Sequence, residues 1–476
     1  MAERPFSVGF CGVSWGDEGK GKMADQQVKE FEDLGKKVFV YRDNGGSNAG
    51  HTIELDDGRR PATHLLPSGI FYKNATVILG KGMVIHPNDL MSEIGEMADI
   101  AGEKGIADIM VDQKAILNLD THRALESMQR QWFSGGKGST GRGIAQSYND
   151  FLARCPLLVE DLISFDERKI GEHYDYYEAW VKGLGGDLKD LPIFRYKSLE
   201  PTLVGSKDEF VRNLEKQAES MSPFIYDVNP FLRGAWSDLN NAFVFEKAQA
   251  IGLDPRFGVY PDVTASDTTF GGILYSTEGE VDPYDIELRY GVFKATYGSS
   301  VGSRILPTMM ERPEHKKMTI EELSTILTPQ ELEDVKFARR IRGDYKEVGA
   351  STGRLRDMLF TDLVPAKYFL KKGIVNRIIL THMDAVYPGV PVKLSVGYTK
   401  NGEESGYRPY QDHMSMVQPR YIEMPTWSQE EIQKAKTPDE IPEKAKDFIK
   451  KVEDETEFPV GMITTGPKRD QFIRLQ

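Results

Sequence analysis

Residues 9–25 read GFCGVSWGDEGKGKMAD, an apolar run that ends in glycines and then brings Asp17, Glu18 and Lys20 into one short turn. Residues 6–11 have the apolar and aromatic character of a strand, residues 23–34 the amphipathic spacing of a helix, and residues 37–41 (KVFVY) that of a second strand. This β–loop–α–β opening decides the fold class, because a strand that feeds a helix and returns as a strand builds a parallel sheet covered by helices. The glycine loop also has a chemical use. Its backbone N–H groups and the helix N-terminus attract an anion, and Lys20 adds a full positive charge, so the turn suits a phosphate. It is not the common GxxxxGK[ST] loop: Gly21 follows Lys20 and Ser14 fills the first glycine position, so no hydroxyl is placed to hold Mg²⁺. Asp17 is the candidate for that task, and a carboxylate there can equally take a proton from a substrate.

Outward from this unit the alternation continues. Residues 76–85 read as a strand and residues 86–102 as a helix capped near Asn88. Residues 242–245 (AFVF), 377–380 (RIIL) and 460–463 (VGMI) read as buried strands. Residues 393–410 (KLSVGYTKNGEESGYRPY) carry an Asn401-Gly402 turn between β-rich runs, the signal of an antiparallel hairpin. Residues 428–455 are charged and helical in pattern. The expectation is an α/β fold with a mostly parallel central sheet flanked by helices, P-loop-NTPase-like, with an appended antiparallel hairpin and helical insertions. With no internal repeat or linker, residues 1–476 read as a single large domain, with a charged insertion at about 310–345.

A hydrophobic content of 39% with 28% charged residues excludes disordered and fibrous classes. The formal charge of -13 opposes general nucleic-acid or membrane-surface binding, so anionic ligands need local basic sites. Cys11 and Cys155 form no CxxC pair and no zinc-like spacing with histidine, and are expected as free, buried thiols of a reducing compartment. Residues 1–10 lack a basic flank followed by a long apolar segment, and no window reaches the roughly 18 apolar residues of a membrane helix. A cytoplasmic protein is expected.

A second cluster, GGSNAGHT at 45–52, follows the second strand and places Asn48, Gly50 and His51 in a loop, where His51 can face Lys20 across a phosphate. WGDEGKGK and NGGSNAGHT together resemble the adenylosuccinate synthetase family, ligases that join L-aspartate to IMP at the expense of GTP. The resemblance continues in order through HLLPSGIF (64–71), LGKGMVIHP (79–87), GSTGRGIAQSYNDFLAR (138–154), FEKAQAIGLD (245–254), GVYPDVTASDTTFGG (258–272), KATYGSSVG (294–302), GASTGRLR (349–356), LTHMD (380–384) and TTGPKRD (464–470).

The resemblance implies roles. Asp17 is the base that removes the purine N1 proton, His51 stabilises the transferring phosphoryl group, and Lys20 sits on the donor phosphates. Gly16, Glu18, Gly19, Gly21, Thr52, Asp384, Thr464 and Gly466 belong to the donor site, with Asp384 reading guanine. Asn48, Ser139, Thr140, Gln249, Thr264 and Val301 bind the purine monophosphate, with Val301 near the ribose. Arg154 reaches the neighbouring active site of a homodimer. Ser351, Thr352, Arg354 and Arg356 capture aspartate. Asp17 and the Gly50 carbonyl ligate Mg²⁺, and GTP is the co-substrate, with ATP also open.

The departures fall in the sites. His382 stands where the guanine-reading motif usually has lysine, Ser299-Ser300 where Thr-Arg is usual before Val301-Gly302, and Ser47 where histidine is usual. Leu355 breaks the arginine run. A smaller, less basic pocket leaves room for a second reading, an N6-succinyl product made from GMP or dGMP with ATP as donor. A third reading, from another class, is a nucleotide-binding protein without turnover.

Overall fold

Side chains alternate along the strands in a way that forces two layers of cover. Val38 and Val40 enter one apolar core while Phe39 and Tyr41 enter another, and Ala242 and Val244 divide in the same way from Phe243 and Phe245. A strand that is apolar on both faces is stable only between helices. The structure, a computed structural model, describes residues 4–55, 57–132, 139–198, 200–349 and 353–475.

Among the described residues the main sheet has ten strands, in the order Ile225–Tyr226, Asp108–Asp112, Thr76–Leu79, Lys37–Arg42, Asn241–Ala250, Phe6–Gly12, Leu288–Lys294, Arg377–Thr381, Val460–Thr464 and Phe472–Arg474. All adjacent pairs are parallel except the last. The Phe6–Gly12 strand sits centrally, paired with Asn241–Ala250 on one side and Leu288–Lys294 on the other. Parallel pairing sends the carboxyl ends of these strands to one edge, where open α/β sheets bind their ligands. The expected α/β class is therefore observed.

Local chemistry explains where boundaries differ from expectation. The first helix spans Lys20–Asp33, earlier than residue 23, because Gly19 at φ 91° turns the chain directly into it. Residues 76–85 split into Thr76–Leu79 and Val84–Ile85. The next helix, Pro87–Ala101, is capped by His86, whose ring accepts from the Asp89 N–H at 3.2 Å, rather than by Asn88. The hairpin is present: Val392–Lys400 pairs with Glu403–Ser405, and Asn401 and Gly402 both take the positive φ that a tight hairpin turn demands. Gln418–Met424 pairs antiparallel with the other edge of Val392–Lys400.

The charged stretch at 428–455 forms two helices, Gln429–Lys434 and Glu443–Thr456, the second burying Ala445, Phe448, Ile449 and Val452. Within 310–345, Pro329–Asp344 shares an apolar cluster with Tyr297, Met358 and Tyr387 through Ala338 and Ile341. Both cysteines are free. Cys11 is buried, with its thiol pushed up to about 12 by burial, whereas Cys155 is exposed beyond the Ile144–Ala153 helix, contrary to expectation. Among the described residues no helix is long and apolar enough to cross a membrane.

Asp362 provides a stability test. It caps the Leu363–Lys372 helix, accepts the Tyr398 hydroxyl at 2.5 Å, and is driven by burial up to about 7. A carboxyl whose folded pKa is raised binds its proton more tightly in the folded chain, so its contribution is complete below the unfolded value and is lost as pH rises through about 7. Asp362→Asn is therefore expected to flatten the decline in unfolding free energy between pH 4 and 7 by up to about 1.4 kcal/mol per pH unit, measured by guanidinium titration across that range.

Candidate active site

The glycine turn is shaped by one inward carboxylate. Glu18 is buried and accepts from the Gly16 N–H at 2.8 Å and from the Lys20 ammonium at 2.7 Å, while its carbonyl accepts from Thr381 Oγ1 at 2.9 Å. Gly16, Asp17 and Gly19 take positive φ values of 99°, 62° and 91°, which turns Asp17 outward beside the open start of the Lys20–Asp33 helix. Gly19 at the N-cap has no side chain to cap that helix, so its first N–H groups can meet an anion.

His51 approaches the same helix closely. A Cβ at Gly21 would lie 3.0 Å from the His51 Cβ, so glycine there allows the two segments to pack. His51 Nδ1 pairs with Glu246, which also accepts from the Ser68 N–H at 2.7 Å and the Ser68 hydroxyl at 2.6 Å. Burial would raise the Glu246 carboxyl, but His51, Arg42 and Ser68 hold it down at about 2. An ionised carboxylate only accepts, so Nδ1 carries the proton and Nε2 is the nitrogen left for a ligand. Burial lowers the His51 pKa below its ordinary value, with Glu246 opposing the shift.

Asp17 is tied to the 349–356 loop, the one expected to capture aspartate. Its carboxylate, 36% exposed, pairs with Arg356. Arg356 also donates to Glu347 at 2.5 Å, and Glu347 accepts in turn from Lys294 and from the Tyr297 hydroxyl at 2.6 Å. Signs alternate along this chain, so each buried charge faces an opposite one. Burial lowers Arg356 to about 10, which leaves it cationic at neutral pH. Arg354 is exposed, and Ser351 and Thr352 lie outside the described residues.

Among the residues expected at the donor base, Asp384 is raised by burial and accepts from the Gln433 amide at 3.1 Å. Thr464 Oγ1 accepts the His382 N–H at 3.0 Å, and the Gly466 carbonyl accepts Lys22 Nζ at 2.7 Å. Burial, with Lys294, Lys22 and Arg356 nearby, holds His382 well below the usual histidine range, so it supplies no charge where the family pattern has a cation. Thr52 is exposed on a short strand beside Ala62–Thr63.

The residues expected to bind the monophosphate are partly assembled. Asn48 Oδ1 accepts from Gln249 Nε2 at 3.1 Å and from the Gly46 N–H at 3.2 Å. Val301 packs on the catalytic turn: a Cβ at Gly16 would lie 3.3 Å from Val301 Cγ2. Ser139 accepts from the Gly141 N–H at 3.3 Å, and Gly50, Thr140 and Thr264 are half-buried. Arg154 is exposed in a left-handed cap at the end of the Ile144–Ala153 helix. Among the described residues, Thr140, Arg154 and Thr264 make no side-chain hydrogen bond or ion pair with Asp17, Lys20 or His51.

Glu246, Ser68, Lys294 and Glu347 were missed as site residues. The first three lie inside recognised blocks, FEKAQAIGLD, HLLPSGIF and KATYGSSVG, so a signal existed. Their roles depend on partners far away in sequence. The Ser299 and Ser300 hydroxyls face two buried cations, Lys294 at 2.8 Å and Arg304 at 2.8 Å, so this wall is not the less basic one the substitutions suggest.

Comparison with known proteins accords with this arrangement. The family model described as adenylosuccinate synthetase matches residues 10–473. The adenylosuccinate synthetase of Acetivibrio thermocellus is 32% identical over 469 residues, covering 97% of this chain and 98% of the relative, and that of Caldicellulosiruptor saccharolyticus is 33% identical over 468 residues, with 98% of both covered. The fully ligated adenylosuccinate synthetase of Plasmodium falciparum superposes with a TM-score of 0.80 at 26% identity, covering 99% of this chain and 100% of the other. A cyanophage S-2L succinoaminodeoxyadenylate synthetase bound to dGMP and dATP, at TM-score 0.52 and 16% identity over 99% of this chain and 96% of the other, shares the fold alone. With the family model spanning nearly the whole chain and relatives above 30% identity end to end, this protein belongs to the adenylosuccinate synthetase family.

Proposed function

We propose that this chain is a C–N bond-forming ligase that joins L-aspartate to C6 of IMP, consumes GTP, and releases adenylosuccinate, GDP and phosphate. The observation that carries the reading is the convergence of Asp17, Lys20 and His51 on one glycine turn, with Arg356 of the aspartate-capture loop already touching Asp17. A ligase of this kind needs a base, a phosphoryl site and an amine-donor clamp within reach of one carbon. A nucleotide-binding protein without turnover needs only the phosphate site.

Asp17 removes the purine N1 proton and the C6 oxygen attacks the γ-phosphorus, giving a 6-phosphoryl nucleotide and the nucleoside diphosphate. Lys20 and the first N–H groups of the Lys20–Asp33 helix hold the donor phosphates, and charge developing on the transferring group meets His51 Nε2. Glu246 favours the protonated ring at that moment. Arg354 and Arg356 take the carboxylates of aspartate in forked geometry, with Ser351 and Thr352 donating hydroxyls. The aspartate amine then displaces phosphate from C6. The Asp17 carboxylate and the Gly50 carbonyl are hard oxygens of the kind Mg²⁺ favours and would hold the ion, which would supply charge neutralisation at the phosphates. Asn48, Ser139, Thr140, Gln249, Thr264 and Val301 bind IMP, and Arg154 completes the site of a second copy in a homodimer.

A second reading rests on His382. A neutral imidazole in place of lysine removes one cation from the donor-base pocket, which favours acceptance of ATP, and the same base chemistry extends to GMP or dGMP.

Three outcomes are expected. With Mg²⁺ and L-aspartate, mass spectrometry of reactions crossing IMP, GMP and dGMP against GTP and ATP gives N6-succinyl product from IMP with GTP; product from a guanine nucleotide or with ATP would favour the second reading. Asp17→Ala abolishes product, a loss of at least about 10²-fold, while calorimetry still detects nucleotide binding. Mixing Arg154→Ala with Asp17→Ala protein restores part of the activity that each lacks alone, because a heterodimer regenerates one intact site; no recovery would remove Arg154 from the partner's site.

A further inference from the structure

Arg304 is buried at 2% exposure, yet it fastens three loops. Its Nη1 donates to Ser300 Oγ at 2.8 Å and to the Val301 carbonyl, its Nη2 donates to the Asp262 carbonyl at 2.7 Å, and its guanidinium lies 5.8 Å from the Trp15 ring. Asp262 is fixed from the other side by the Ser303 N–H and by the Ser303 hydroxyl at 3.2 Å. Trp15 and Ser300 form a parallel bridge, and the Val301 N–H reaches the Trp15 carbonyl at 3.5 Å. The chain reverses between Val301 and Arg304 at Gly302, where φ is 103° and a Cβ would lie 2.9 Å from Asp262 Oδ1 and 3.0 Å from Arg304 Nη2. Only glycine lets the guanidinium return over the turn that carries Asp17.

We propose that Arg304 is a positioning residue for the purine monophosphate: its guanidinium clamps the Ser300–Val301 wall onto Trp15 and Gly16, filling from position 304 the space beside Ser300. An apolar side chain would fill this volume with less desolvation cost but could not hold two carbonyls and a hydroxyl on two separate loops at once. Ser300 matters as the acceptor that a longer side chain could not provide, since the residue is 1% exposed and its hydroxyl accepts from the cation. An arginine at position 300 would deliver its guanidinium to the same space if Arg304 were absent. The effect is confined to the wall at Val301 because no contact of Arg304 reaches Lys20, Arg356 or Asp384 among the described residues. That Val301 faces the monophosphate rests on the function proposed above.

The test compares the parent protein with Arg304→Gly, Arg304→Lys and the exchange Ser300→Arg/Arg304→Gly. It uses calorimetric binding of IMP, KM for IMP, GTP and L-aspartate, and thermal melting. Arg304→Gly is expected to weaken IMP binding about tenfold or more while KM for GTP and aspartate stays within about twofold. Arg304→Lys falls between, and the exchange variant recovers IMP binding to within about threefold of the parent. IMP binding unchanged in a folded Arg304→Gly protein, equal weakening for all three substrates, or an exchange variant no better than Arg304→Gly would each overturn the proposal. If Arg304→Gly does not fold, the lysine and exchange variants carry the same comparison. If the parent binds IMP but yields no succinyl product, the proposed ligase function fails while the binding comparison still decides the role of Arg304; if the parent binds no IMP, both fall.

Discussion

Parallel backbone hydrogen bonding around the Phe6–Gly12 strand is the constraint on which the site depends. Flanked by Asn241–Ala250 and Leu288–Lys294 and buried on both faces, this strand can place polar chemistry only where it ends. Its neighbours run the same way, so their ends deliver the NGGSNAGH loop, Gln249, the Ser299–Val301 wall, His382 to Asp384 and Thr464 to one edge. Lys22 and Gly466, 444 positions apart in sequence, meet there without any one segment having to be long; Lys20 and the glycine turn supply the centre, and the other loops close around it.

Charge is handled inside the protein by alternation. Asp17, Arg356, Glu347 and Lys294 form one chain of opposite signs, and Glu246 serves His51 while Glu18 serves Lys20. Removing water from isolated ions at these depths would cost several kcal/mol each, and pairing with hydrogen bonds offsets most of it. With Arg356 on Asp17 and Glu18 on Lys20, the charges around the glycine turn are neutralised internally. Tyr345, at the end of the charged 310–345 stretch, donates to the Asp384 carbonyl at 3.3 Å, and Glu347, two residues beyond it, accepts from Arg356, so that stretch is linked to both residues.

Much of this was legible in the sequence. The β–loop–α–β opening announced the parallel sheet, Asn401-Gly402 announced the hairpin, and the ordered motif blocks announced the family. Boundaries slipped where a local interaction outbid periodicity: His86 captured the cap expected near Asn88, and a glycine turn at 80–82 divided one apolar run into two strands. Cys155 was expected in the core and lies exposed, because a helix end rather than an apolar pattern governs its position. The Ser299-Ser300 substitution read as lost basicity, yet both hydroxyls accept from cations that composition alone could not locate.

The sequence by itself determined the class of fold and singled out the glycine turn with Asp17 and Lys20 and the loop with His51, because these depend on short-range patterns in which neighbouring residues define backbone shape. The tertiary structure alone decided which charges meet: Glu246 on His51, Arg356 on Asp17, Glu347 between Arg356 and Lys294, Arg304 on Ser300. Most of these pairs join strands or loops far apart in the chain, and even the near ones depend on the backbone reversing between them. Electrostatic partnership depends on distance in space and on burial, and neither is written in local spacing.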